Sequence, residues 1–134
     1  MPVLFNMIRT VLGDIKKSEL GMTLAHEHFI VDLDRVRKDG RSYIKDVEEV
    51  VPEIRKAMDQ GIQAAFEVTT NDMGRDPRKL KQISELTGLK IVCSTGFYLA
   101  EYHPEWMNEA TKEDVAEIYI RDLCSVCASG PDPG

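Results

Sequence analysis

An α/β fold built on a parallel sheet is predicted by three features of the chain. Residues 23–31, 62–70 and 89–95 are short runs rich in apolar and β-branched side chains and read as strands. Between them lie two segments whose apolar residues recur at helical spacing. Gly61, Asp76-Pro77 and Gly88 punctuate the joins as helix stops and starts. Strands alternating with helices imply right-handed βαβ units, and such sheets gather their ligands at the carboxyl ends of the strands.

Taken in order, residues 8–14 and 23–31 are strand-like, and Gly13-Asp14 and Gly21 suit a small hairpin leading into the second run. Residues 34–46 are charged, carry Asp39-Gly40 and read as a surface loop. Val47, Val50, Val51, Ile54, Ala57 and Met58 then mark a helix that Gly61 stops. Pro52 fits best in a first turn, which suggests a late start for that helix. After the strand at 62–70, residues 71–75 form a loop. Asp76 caps the next helix with Pro77 at its first position; Leu80, Ile83 and Leu86 give it a buried face and Gly88 ends it. Residues 89–95 are nearly all apolar, as in a strand covered on both faces. Residues 96–108 are an aromatic loop containing His103-Pro104. Thr111 with Asp114 resembles a capping box that opens a helix through Val115, Ile118, Ile120 and Leu123. The last residues, 128–134, read as turns or disorder.

At 134 residues the chain is one domain's worth. Its net charge of −6 argues against nucleic acid or an anionic membrane surface as partner. No apolar run reaches the roughly 20 residues that span a bilayer. The first residues lack a signal peptide's basic start and long apolar core, so the cytoplasm is the expected compartment. Three cysteines without an export signal point to free thiols. Cys124 and Cys127 have the Cys-x-x-Cys spacing of zinc or redox sites, but no second pair or nearby histidine accompanies them, and incidental thiols are the better reading.

The candidate chemistry lies in the run Thr23-Leu24-Ala25-His26-Glu27-His28, where two of the three histidines fall one residue apart. Along a strand His26 and His28 face one way and Glu27 the other. Two imidazoles so placed can bind one divalent ion, each through one nitrogen. A His-x-His pair is also common as a structural or incidental feature. Burial of both rings would demand partners for both nitrogens of each, which a metal and surrounding polar groups supply.

The same residues carry a resemblance. Val11-Leu12-Gly13-Asp14 followed by Glu19-Leu20-Gly21-Met22-Thr23-Leu24-Ala25-His26-Glu27-His28 resembles the opening signature of the phosphotriesterase family, (β/α)8-barrel hydrolases of the amidohydrolase superfamily. The likeness continues through residues 67–76, 83–88 and 91–98 and at His103-Pro104, and is greatest to phosphotriesterase-related proteins and phosphotriesterase-like lactonases. It implies that His26 and His28 bind the more buried ion of a centre of two metals, usually zinc. The remaining ligands come from later strands. A metal-activated hydroxide then attacks an ester, lactone, phosphoester or amide of a small-molecule substrate. Tyr98 matches a tyrosine that borders the active site and contacts substrate, and it reads equally well as an aromatic packed over the barrel mouth. His103 and Glu27 read as structural.

The resemblance covers residues 8–123, and a complete barrel of this kind takes about 250 residues or more. The fold expected is therefore the N-terminal portion of a (β/α)8 barrel: a leading hairpin and about three βα units at 1–123, then a divergent tail at 124–134. The chain then carries only the first-strand ligands of a truncated barrel. Its open sheet edges favour association with itself or another chain. A hydrolase of the family and a catalytically inactive form acting through association are the two readings.

Overall fold

The computed structural model describes residues 6–124. Its centre is a three-stranded parallel sheet of β3 (Thr23–Glu27), β6 (Ala64–Glu67) and β7 (Lys90–Cys93), in the order β3-β6-β7. The predicted α/β partial barrel is what the structure shows. Helices α2 (Val47–Asp59) and α3 (Pro77–Thr87) supply the crossovers and cover one face. The strands are shorter than the apolar runs at 62–70 and 89–95, because backbone pairing stops where the chain turns into the loops at the carboxyl ends.

The core lies between these helices and the sheet. Val47, Val50, Val51 and Ile54 of α2 meet Leu80 and Ile83 of α3 over Ala65 and Ile91, with Leu89, Phe29 and Ile30 closing the cluster. This burial of about a dozen apolar side chains is what holds the two helices to the sheet. Local signals set the bounds of α3. Asp76 Oδ1 accepts from the amides of Arg78 and Lys79 at 3.1 Å, Pro77 occupies the first turn, and Gly88 ends the helix at φ +81°.

Four details differ from the sequence expectation. Helix α2 starts at Val47, with Pro52 inside it; Pro52 is exposed, and its missing N–H costs the helix one hydrogen bond. The hairpin is β1 (Met7–Thr10) with β2 (Gly13–Lys16), and its turn is Val11-Leu12 within the first apolar run. Thr10 shapes that turn, its hydroxyl donating to Gly13 O and accepting from Leu12 N. Residues 34–46 are structured: α1 (Asp34–Arg37) and β5 (Tyr43–Ile44) lie there, and β5 pairs with the two-residue β4 (Val31–Asp32) just before them. The aromatic loop holds two 3-10 turns, Ala100–Tyr102 and Glu105–Asn108.

The hairpin also reaches the sheet. Val11 is buried in the core and its amide donates to Ile91 O at 2.9 Å. Lys90 N donates to Gln63 O and Ser94 N to Glu67 O, on the β6 side, so Ile91 faces the other edge of β7, and the hairpin tip takes one carbonyl of that edge.

Helix α4 (Lys112–Cys124) opens with the expected capping box. Asp114 Oδ2 accepts from Thr111 N and Oγ1, and Asp114 N donates back to Thr111 Oγ1. The apolar residues of α4 are not fully buried: Val115 and Ile118 are half-covered, while Ile120 and Leu123 are 60% and 65% exposed. Cys127 and the tail expected to be turn-like or disordered lie outside the described residues.

Candidate functional site

The carboxyl ends of β3, β6 and β7 meet at one rim, and backbone bonds tie them beyond the strands. Val68 N donates to Glu27 O, Ser94 N to Glu67 O, and Asn71 N to Gly96 O, at 2.8–3.0 Å. Ser94 Oγ adds a bond to Thr69 O.

His26 and His28 stand at this rim with ring centroids 5.3 Å apart, edge to face. Their placement depends on an irregularity. In an even strand Leu24, His26 and His28 would share a face. Yet Leu24 packs against the helix-covered core while His26 is exposed. The register explains it: Leu24 pairs with Ala65 and Glu27 with Glu67, three steps on β3 against two on β6. This β-bulge reverses the alternation and turns the histidines away from the core.

His28 is half-buried and anchored. Its Nδ1 lies 2.9 Å from Thr69 Oγ1, and that hydroxyl donates to Glu67 Oε1 at 2.6 Å. Glu67 is fully buried and also accepts from Phe29 N at 3.0 Å and Thr69 N at 3.2 Å. Burial pushes its carboxyl above the ordinary range, against the pull of these hydrogen bonds. Glu67 and Thr69 were not singled out as site residues from sequence. The available signal was a lone carboxylate inside an apolar strand.

Asp72 organises the loop that carries Tyr98. Its carboxylate accepts from Tyr98 N with both oxygens, at 2.9 and 3.0 Å, and from Thr70 Oγ1 at 2.7 Å. Arg35 of α1 donates to Asp72 O and Tyr102 O, both at 2.7 Å, clamping the loop from the other side. The Tyr98 ring lies 5.3 Å from that of Tyr102 and is 46% exposed. His103 donates from Nε2 to Tyr98 O at 3.1 Å and packs edge-on to Phe97, so it serves the loop.

A third group anchors α4 to the rim. Asp122 Oδ2 accepts from Thr95 Oγ1 at 2.6 Å and Asn71 Nδ2 at 3.0 Å, with Arg75 Nη1 at 3.6 Å; Arg121 Nε lies 3.5 Å from Oδ1. Burial would raise the Asp122 carboxyl, but these hydrogen bonds and charges together hold it below its ordinary range. Arg75 also points Nη2 at Cys93 Sγ, 3.8 Å away; burial pushes that thiol up.

A divalent ion would find two donors at His26 and His28. The His28 Nδ1 is engaged, and no hydrogen-bond partner meets its Nε2 or either nitrogen of His26 among the described residues. The pair suits a metal on these grounds, as part of a ligand set. No cluster of three or more His, Cys, Asp or Glu able to hold an ion occurs among the described residues. Nor is any helix among them long and apolar enough to cross a membrane.

Comparison with known proteins adds the wider context. Residues 6–129 match the family model of the phosphotriesterase family. The chain is 29% identical to an aryldialkylphosphatase of Saccharolobus solfataricus, over 81% of this chain and 36% of that protein. It is 27% identical to an N-acetyltaurine hydrolase of Rattus norvegicus, over 92% of this chain and 44% of the relative. A crystal structure of a lactonase from Listeria monocytogenes superposes with a TM-score of 0.79 at 25% identity, covering 87% of this chain and 41% of that one. The chain thus spans less than half the length of the relatives it matches.

Proposed function

Because the chain belongs to the phosphotriesterase family of hydrolases, we propose that His26 and His28 are protein ligands of a divalent metal, zinc by family likeness, in a site that hydrolyses a small-molecule ester, lactone, phosphoester or amide. The observation that carries this reading is the pair itself: two rings 5.3 Å apart at the mouth of the sheet, one anchored through Nδ1. The metal, when bound, would supply Lewis-acid polarisation and easier ionisation of water, and the family site uses two such ions. The chain's own residues do the positioning. Glu67 and Thr69 hold His28, while Asp72 and Arg35 hold the loop from which Tyr98 reaches substrate. The names of the relatives, a phosphatase, an amide hydrolase and a lactonase, span three of the bond types.

A second reading is favoured by a specific observation. Two histidine donors, with no fuller ligand cluster among the described residues, make an incomplete centre, and the exposed Ile120 and Leu123 offer apolar surface to another chain. On this reading the 134-residue chain is inactive by itself and acts through association.

Metal content by mass spectrometry, on protein purified without a tag or chelator, tests the ligand assignment. Wild type is expected to retain zinc that His26→Ala/His28→Ala loses without unfolding. Equal metal in both would sink the assignment. The isolated chain is expected to show little hydrolysis, and turnover near a full-length relative's rate would exclude the second reading.

A further inference from the structure

We propose that Thr69 is a positioning residue for His28, fixing the ring as the Nδ1–H tautomer so that Nε2 presents its lone pair. The argument is one of hydrogen counting. A threonine hydroxyl has one proton to give. Thr69 Oγ1 lies 2.6 Å from Glu67 Oε1 and 2.9 Å from His28 Nδ1, so that proton can serve only one of them.

The Glu67 carboxylate takes it. Oε1 already receives Phe29 N and Oε2 receives Thr69 N, so both oxygens face donors and act as acceptors. With its proton directed to Glu67, Thr69 Oγ1 can offer His28 only a lone pair, and Nδ1 must carry the hydrogen. The arrangement is that of a metal-binding histidine oriented by a polar group behind it, relayed here through a hydroxyl to a buried carboxylate. Thr69 and Glu67 are both fully buried, so water does not compete for these bonds.

The use of that lone pair for a metal rests on the ligand reading above; the tautomer does not. The experiment separates the two. Long-range 15N–1H correlation spectra of the metal-free chain, at a pH where the ring is neutral and with His28 assigned through His28→Gln, report which nitrogen bears the proton. Zinc affinity is read by competition with a chromophoric chelator on the same samples.

Wild type and Thr69→Ser are expected to hold Nδ1–H, and Thr69→Val, of nearly the same shape, to lose it. Thr69→Val should also bind zinc roughly 10- to 100-fold more weakly, with Thr69→Ser close to wild type. An Nε2–H ring in wild type would overturn the proposal, whether or not the valine variant folds. So would a valine variant with wild-type tautomer and affinity. The expected tautomers with no zinc bound by any sample would support the hold of Thr69 on His28 and defeat the metal reading alone.

Discussion

Helices α2 and α4 are each 13 residues long, yet they are held to the molecule in opposite ways. Helix α2 buries Val47, Val50, Val51 and Ile54 against the sheet and α3. Helix α4 buries no residue fully. Its attachment is mainly polar, beside a stacking contact of Tyr119 on Phe97: Asp122 reaches Asn71, Thr95 and Arg75 at the rim, and Arg9 of the hairpin donates to Leu123 O and Cys124 O. The contrast teaches that an amphipathic pattern in sequence predicts a helix but not what covers it. Apolar burial makes α2 part of the core, whereas directional bonds and one ring stack do most of the holding of α4.

That contrast can be tested by loss. Ile54→Ala should destabilise the whole domain by about 2–5 kcal/mol, read as a lower denaturation midpoint, because it opens a cavity in the shared core. Asp122→Ala should cost less, about 1–3 kcal/mol, by leaving Thr95, Asn71 and Arg75 without their acceptor. Its effect should also be local: amides of residues 112–124 exchange faster while those of α2 keep their protection. Uniform loss of protection would show that α4 is cooperative with the core after all.

Acid probes the same anchor. The Asp122 carboxyl is held below its ordinary value of 3.8 in the folded chain. Its contribution is therefore complete above that value and is lost as pH falls through the lower folded-state value. Protection of α4 should fail in that acid window in wild type, and Asp122→Asn should weaken the dependence, leaving the part that belongs to the Asp114 cap at the helix start. The smallest effect belongs to Ile120→Ser, within about 0.5 kcal/mol, since that side chain is already 60% exposed. A loss as large as that of Ile54→Ala would mean that α4 is covered in solution by another chain.

What the sequence made legible was local. Asp76-Pro77 and Gly88 bound α3, and Thr111 and Asp114 open α4, because each signal acts within a few residues of itself. The order of the sheet strands and their crossover helices followed from helical periodicity, β-branched runs and the Gly and Pro punctuation between them. The hairpin turn at Val11-Leu12 escaped notice because a threonine hydroxyl shapes it instead of an Asn-Gly pair. The histidine pair was visible, but its anchor was not. Glu67 meets Phe29 across 38 positions, and Thr69 meets His28 across 41. The bulge was invisible for a related reason, since register belongs to two strands at once and one strand's pattern cannot reveal it.

The extra residue between Leu24 and Glu27 makes this stretch a spacer whose count matters more than its letters. Ala25 is exposed, and other side chains should be accommodated there. Deleting one residue is another matter. It would rotate everything upstream or downstream by half a strand period, sending either His26 towards the helices or Leu24 towards water. Insertions and deletions, which loops absorb readily, are thus barred from the two positions between Leu24 and Glu27, in the middle of a strand.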